Sequence, residues 1–68
     1  MTEIIFLVEN APEGGYTARS LGFPIFTEAD NWEELKVAIG DAVNCHFEEA
    51  EHPHMIRMHF TKEEGFAA

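Results

Sequence analysis

EGGYTARSLGFPIFTEADNWEEL, residues Glu13 to Leu35, reads as turn, strand, turn, strand and helix start with almost no slack between them. Gly14 and Gly15 can take positive φ, and Pro12 just ahead of them has its φ fixed, so the chain reverses there. It returns as a strand over Tyr16 to Leu21, antiparallel to whatever enters the turn. Gly22 and Pro24 mark a second reversal, and Ile25 to Glu28 form a third, shorter strand. Asn31 is placed to cap a helix, and Glu34 three residues later is placed to bond back to it. Glu33 and Glu34 also suit the positive end of the helix dipole.

Upstream, Ile4 to Glu9 (IIFLVE) is a short β-branched and aromatic run that enters the first turn as a strand. Both of its alternating sets are apolar, Ile4, Phe6 and Val8 on one side and Ile5 and Leu7 on the other, so the strand belongs in the middle of its sheet. Downstream, Trp32, Leu35, Ala38, Ile39, Ala42, Val43 and His46 follow helical spacing, with Lys36, Gly40, Asp41 and Asn44 opposite. Gly40 costs about 1 kcal/mol relative to Ala in a helix interior, too little to break it. The helix is expected to end between Phe47 and Ala50, and Glu51-His52-Pro53-His54 breaks the chain, because Pro53 cannot join a helix interior. Met55 to Thr61 then alternates, Ile56, Met58 and Phe60 against Met55, Arg57 and His59, with the period of a half-buried strand.

The order strand, strand, strand, helix, strand predicts a two-layer α+β fold, β-β-β-α-β. Its three-stranded antiparallel meander carries a fourth strand parallel to the first, in sheet order 3-2-1-4. Residues 1–61 make the single domain, and 62–68 are expected to be a loose tail. One helix covers one face of such a sheet. The core is assigned to Ile4, Phe6, Val8, Leu35, Ile39, Val43, Ile56, Met58 and Phe60. The second face then offers Ile5, Leu7, Arg57 and His59 to a homodimer mate or a bound partner protein. Two alternatives stay open: the faces are swapped, which changes the surface residues, or loops and the stems of Arg19 and Arg57 partly shield Ile5 and Leu7, which then need no partner.

Composition narrows the function. At 68 residues the chain holds one modest core, near the size at which burial barely offsets chain entropy, and a partner is a common source of stability at that size. A hydrophobic share of 46% excludes a disordered chain. The single Cys45 cannot staple the fold, no apolar run approaches the roughly 20 residues of a membrane span, and the Met1-Thr2-Glu3 start lacks a positive n-region. A soluble cytoplasmic protein is expected. Thirteen acids against four bases give a net charge of −9, which repels nucleic acid and anionic membranes and attracts a basic partner. The charge also serves plain solubility.

The run VENAPEGGYTARSLGFPIFTEADNWEEL, with its Gly14-Gly15-Tyr16-x-Ala18 hairpin and acidic helix start, resembles the HicB-like antitoxin family. The resemblance spans Ile4 to about Phe47 and rests on order and spacing. It implies a truncated RNase H-like domain that lacks that fold's catalytic acids, and a protein that binds and blocks a small basic RNA-cleaving toxin of the HicA type. Two features depart from the family. Many members continue into a DNA-binding segment, which the sequence up to Ala68 does not contain, so autoregulation by this chain is not expected. The family's Leu-Pro-Gly-Cys stretch stands here as Leu21-Gly22-Phe23-Pro24.

The residues offer little for catalysis. Two-metal nucleases need several acids converging within about 4 Å of paired ions, and the first strand supplies only Glu3 and Glu9 beside an apolar run. Cys45, His46, His52, His54 and His59 form the one group with metal-ligand chemistry, and His52 and His54 are its weak candidates. Cys45 and His46 are adjacent, so on a helix they point about 100° apart and serve neither one ion nor a thiolate mechanism. The reading favoured is a half-buried His46, loop histidines and Cys45 packed as a small hydrophobe. Trp32 is read as the edge of the core, with an interface anchor as the other role open to it. No cofactor and no enzymatic activity are expected. The competing classes are a small metal-binding protein and a structural subunit of a larger complex.

Overall fold

The computed structural model describes residues 3–60. Four strands, β1 (Glu3–Asn10), β2 (Tyr16–Ser20), β3 (Phe26–Ala29) and β4 (Met55–Phe60), form one sheet in the order β3-β2-β1-β4. β1 runs antiparallel to β2 and β2 to β3, while β4 lies parallel to β1. The expected topology is therefore the observed one. Helix α1 (Trp32–His46) packs on one face, and a short 3₁₀ turn at Glu49–Glu51 leads toward β4.

The first turn forms as the glycines require. Gly14 and Gly15 take φ of +106° and +81°, and the Gly14 N–H donates to the Ala11 carbonyl at 3.1 Å. Gly15 has a second reason to be glycine, because a Cβ there would lie 2.5 Å from the Ala29 carbonyl oxygen on β3. At the second turn Ser20 N–H donates to the Ile25 carbonyl and Leu21 N–H to the Ile5 carbonyl, each at 2.9 Å. Leu21 thus continues the β2 ladder one residue beyond the strand's end.

Asn31 caps α1 from an extended backbone, its Oδ1 accepting from the Glu34 N–H at 2.8 Å. That bond removes one of the orphan donors of the first turn. The helix runs unbroken through Gly40, where open space surrounds the missing Cβ. It stops one residue before the expected range, and Phe47 N–H donates to the Val43 carbonyl at 3.0 Å. Part of the expected breaker is instead the 3₁₀ turn, and Pro53 is buried.

Ile4, Phe6 and Val8 of β1 meet Leu35, Ile39 and Val43 of α1, joined by Ala18 and Ile25. The face assignment made from the alternation of β1 holds. Three details differ. β3 begins at Phe26, so Ile25 is a buried loop residue that fills the core from the turn. Ile56 and Met58 are only half-buried, and Phe60, expected in the core, is 39% exposed. β4 is an edge strand, and an edge position leaves its side chains with neighbours on one flank only. Phe60 instead sets its ring edge-on to Tyr16 and Trp32, with centroids 5.9 Å from each. Trp32 is half-buried in this aromatic group and so belongs to the core's margin. The tail expected over 62–68 lies outside the described residues.

Candidate docking face

The strand registers fix what the helix-free face carries. Across its middle run Phe26, Arg19, Leu7 and His59, one from each strand. Below them Ile5 stands beside Arg57, with Leu21 on its other flank. Glu28, Thr17 and Glu9 close one end of the face, and Glu3 with Met55 the other. The residues expected there, Ile5, Leu7, Arg57 and His59, are together on it.

Ile5 and Leu7 are half-buried, while their neighbours are open: Phe26 is 63% exposed, Met55 52% and Leu21 44%. A lone exposed hydrophobe needs no explanation, but five apolar side chains on one face form a patch of the kind that marks an interface. Arg19 and Arg57 flank the central pair, and the half-burial of Ile5 and Leu7 agrees with the partial shielding by their stems that the sequence left open. Arg57 Nε donates to Glu3 Oε2 at 2.6 Å. That hydrogen bond, and then the carboxylate's charge, raises the guanidinium above its ordinary pKa, so Arg57 is a cation at every accessible pH. The pair is exposed and contributes little to stability, but it fixes the position of a cation beside Ile5.

Phe26 and Leu21 were not foreseen on this face, while Met55 belongs to the alternating set that also carries Arg57 and His59. Phe26 was legible in principle, since its neighbour Ile25 points inward and alternation then sends Phe26 outward. Leu21 carried no such signal, because it adjoins a turn.

The histidine group does not assemble. Among the described residues no three His, Cys, Asp or Glu side chains converge on a position that could hold a metal ion. His52 is engaged locally: Nδ1 donates to the Pro53 carbonyl at 2.8 Å and Nε2 lies 2.5 Å from Asn44 Oδ1, tying the approach to β4 to the end of α1. His54 is exposed. His46, expected to be half-buried, is also exposed, and its ring stands edge-on to Phe23 and Phe47 at centroid distances of 5.9 and 4.8 Å. Cys45 is exposed rather than packed, because it lies two residues from the buried Val43, about 200° round the helix and so on its outer side.

An open cleft of about 760 Å³ lies between the first turn, β3 and the start of α1, with Glu13, Glu28, Asp30 and Glu34 among its lining residues. No helix among the described residues is long and apolar enough to cross a membrane.

No family model matches this sequence, and no solved structure matches it. Two relatives do. A UPF0150 protein of Archaeoglobus fulgidus is 60% identical over 50 residues, 74% of each chain. A UPF0150 protein of Thermotoga maritima is 41% identical over 61 residues, 90% of this chain and 86% of its own. With identity at that level sustained along nearly the whole domain, the chain belongs to the UPF0150 family.

Proposed function

We propose that this chain is a non-catalytic protein-binding module of the HicB-like antitoxin kind, which holds a small basic RNA-cleaving protein of the HicA type in an inactive complex. The observation that carries the docking reading is the sheet's second face, where Ile5, Leu7, Leu21, Phe26 and Met55 have no layer over them among the described residues. Burying a large apolar side chain contributes about 1.5–3 kcal/mol, so covering even part of this patch stabilises a complex appreciably. The charge of −9 favours a basic partner and speeds its encounter. The order Gly14-Gly15-Tyr16, acidic first turn and parallel last strand supports the resemblance to HicB-like domains.

The test is co-expression with any short basic protein encoded beside this one. The expected result is a stable complex in which that protein's RNA cleavage is suppressed, and released when the acidic chain is removed. Undiminished cleavage with both chains present in equal amounts would overturn the reading.

A further inference from the structure

β3 ends the sheet on the side away from β4, so among the described residues one of its two edges has no strand beside it. The contacts at its two ends show which groups that edge presents. The Ile25 carbonyl accepts from the Ser20 N–H of β2, and the Ala29 carbonyl is turned toward Gly15 at the start of β2. Along an antiparallel strand, residues that bond a given neighbour alternate with residues that do not. Ile25, Thr27 and Ala29 therefore bond inward, and Phe26 and Glu28 turn their N–H and C=O groups to the open edge. Both side chains are exposed as well. An unpaired edge of this kind is a template for one more strand.

The open cleft beside the first turn adjoins the end of this edge. Its walls join Thr17 and Glu28, which close one end of the helix-free face, to Glu34 and Ala38 of α1, so it reaches round the end of β3 from one face of the sheet to the other. A partner on the helix-free face meets the edge without a gap. Glu13, Glu28, Asp30 and Glu34 converge on the cleft from the first turn, β3, the segment before α1 and the helix itself, and no Lys, Arg or His lines it.

That composition selects the occupant. Among the described residues no three acids, histidines or cysteines converge on a place for a metal ion, so the carboxylates are spread along the cleft rather than gathered round one point charge. A second copy of this chain pairing through its own β3 would bring four carboxylates against four, and like charges side by side are unfavourable. An extended segment bearing Lys or Arg meets neither obstacle: its backbone pairs with Phe26 and Glu28, and its cations answer carboxylates on both sides of the edge. The opposite edge, β4, holds Arg57 and His59 and no acid within the strand, so such a segment is steered to β3.

We propose that the open edge of β3 is the seat of an extended, lysine- or arginine-bearing segment of a partner protein, which adds a strand to the sheet and lays its cations in the acidic cleft. The inference rests on the reading of the partner as basic, and it names where the partner's charge is received.

The test is an NMR titration of the intact chain with a blocked heptapeptide alternating Lys and Val, beside a counterpart alternating Glu and Val. The Lys peptide is expected to shift the amides of Phe26 and Glu28 most and to slow their hydrogen exchange, while the Glu peptide leaves them unchanged. Removing two cleft charges, Glu13→Gln with Asp30→Asn, is expected to weaken binding about tenfold, since each exposed ion pair contributes up to about fivefold. The same charge change in the 3₁₀ turn, Glu49→Gln with Glu51→Gln, is expected to leave binding within about twofold, because long-range attraction alone is screened. Glu28→Pro, which also removes an outward N–H at an edge position that tolerates proline, is expected to bind about fivefold more weakly than Glu28→Gln. Circular dichroism confirms that each variant is folded, and the two paired variants decide the matter if Glu28→Pro is not. No binding at millimolar peptide, shifts centred away from β3, or equal weakening by the two paired variants overturns the proposal. Chain and peptide are the only components, so this result and the co-expression result fail independently.

Discussion

Replacing Gly15 by Ala and, separately, Gly14 by Ala tests the turn on which the sheet depends. Both glycines have positive φ, and left-handed backbone costs an L-residue about 1–2 kcal/mol. At Gly14 that is the whole effect, because nothing lies within 4 Å of the new Cβ. At Gly15 the new Cβ also falls 2.5 Å from the Ala29 carbonyl oxygen, nearly an ångström inside ordinary contact at 3.4 Å. The obstacle is backbone, so it yields only by opening the end of the β2–β3 ladder, where Tyr16 pairs with Ala29. Losing that rung adds about 1–2 kcal/mol to the strain. The expected losses are about 1 kcal/mol for Gly14→Ala and about 3 kcal/mol for Gly15→Ala. A chain of this size has about 3–10 kcal/mol in all, so the second variant approaches the limit of folding. In urea, with a slope of about 1 kcal/mol per molar, the two midpoints separate by about 2 M. Coincident midpoints, or a milder effect at Gly15, would refute the hairpin geometry.

Three further outcomes follow from local geometry. Gly40→Ala introduces its methyl into open space inside a helix and is expected to raise stability by about 0.5–1 kcal/mol, read as a higher urea midpoint at unchanged slope. Asn31→Ala removes the oxygen that accepts from Glu34 N–H and is expected to cost about 1 kcal/mol, with Asn31→Asp recovering most of it. Leu35→Ala empties a fully buried position between helix and sheet and is expected to cost about 2–5 kcal/mol, more than any of the surface changes above.

The alternation of β1 divided its residues into two apolar sets and one helix follows it, but with both sets apolar the alternation left open which of them the helix covers. Ile4, Phe6 and Val8 could face α1 with Leu35, Ile39 and Val43 at helical spacing, and they do. The helix start was legible from Asn31 and Glu34, since capping is a local interaction. The candidate face was legible in its centre, at Ile5, Leu7, Arg57 and His59, for the same reason of parity. Its periphery was not. Phe26 follows by alternation only once Ile25 is known to fill the core, and Leu21 depends on a ladder bond to Ile5 that only the folded sheet creates. The partial exposure of Phe60 was hidden because alternation fixes a face but not the distance from a sheet's edge. The histidines gave no geometry because spacing along a loop does not determine where rings point.

The account's central claim is that the sheet's second face is covered by protein in solution. Solvent paramagnetic relaxation of methyl groups reads this directly in the intact chain, with Val43 as the buried reference and Val37, 65% exposed on α1, as the open one. With the chain folded and concentrated, the methyls of Leu21 and Met55 are predicted to be shielded nearly as well as those of Val43. Relaxation of both at the rate of Val37, with the chain folded and concentrated, would contradict it.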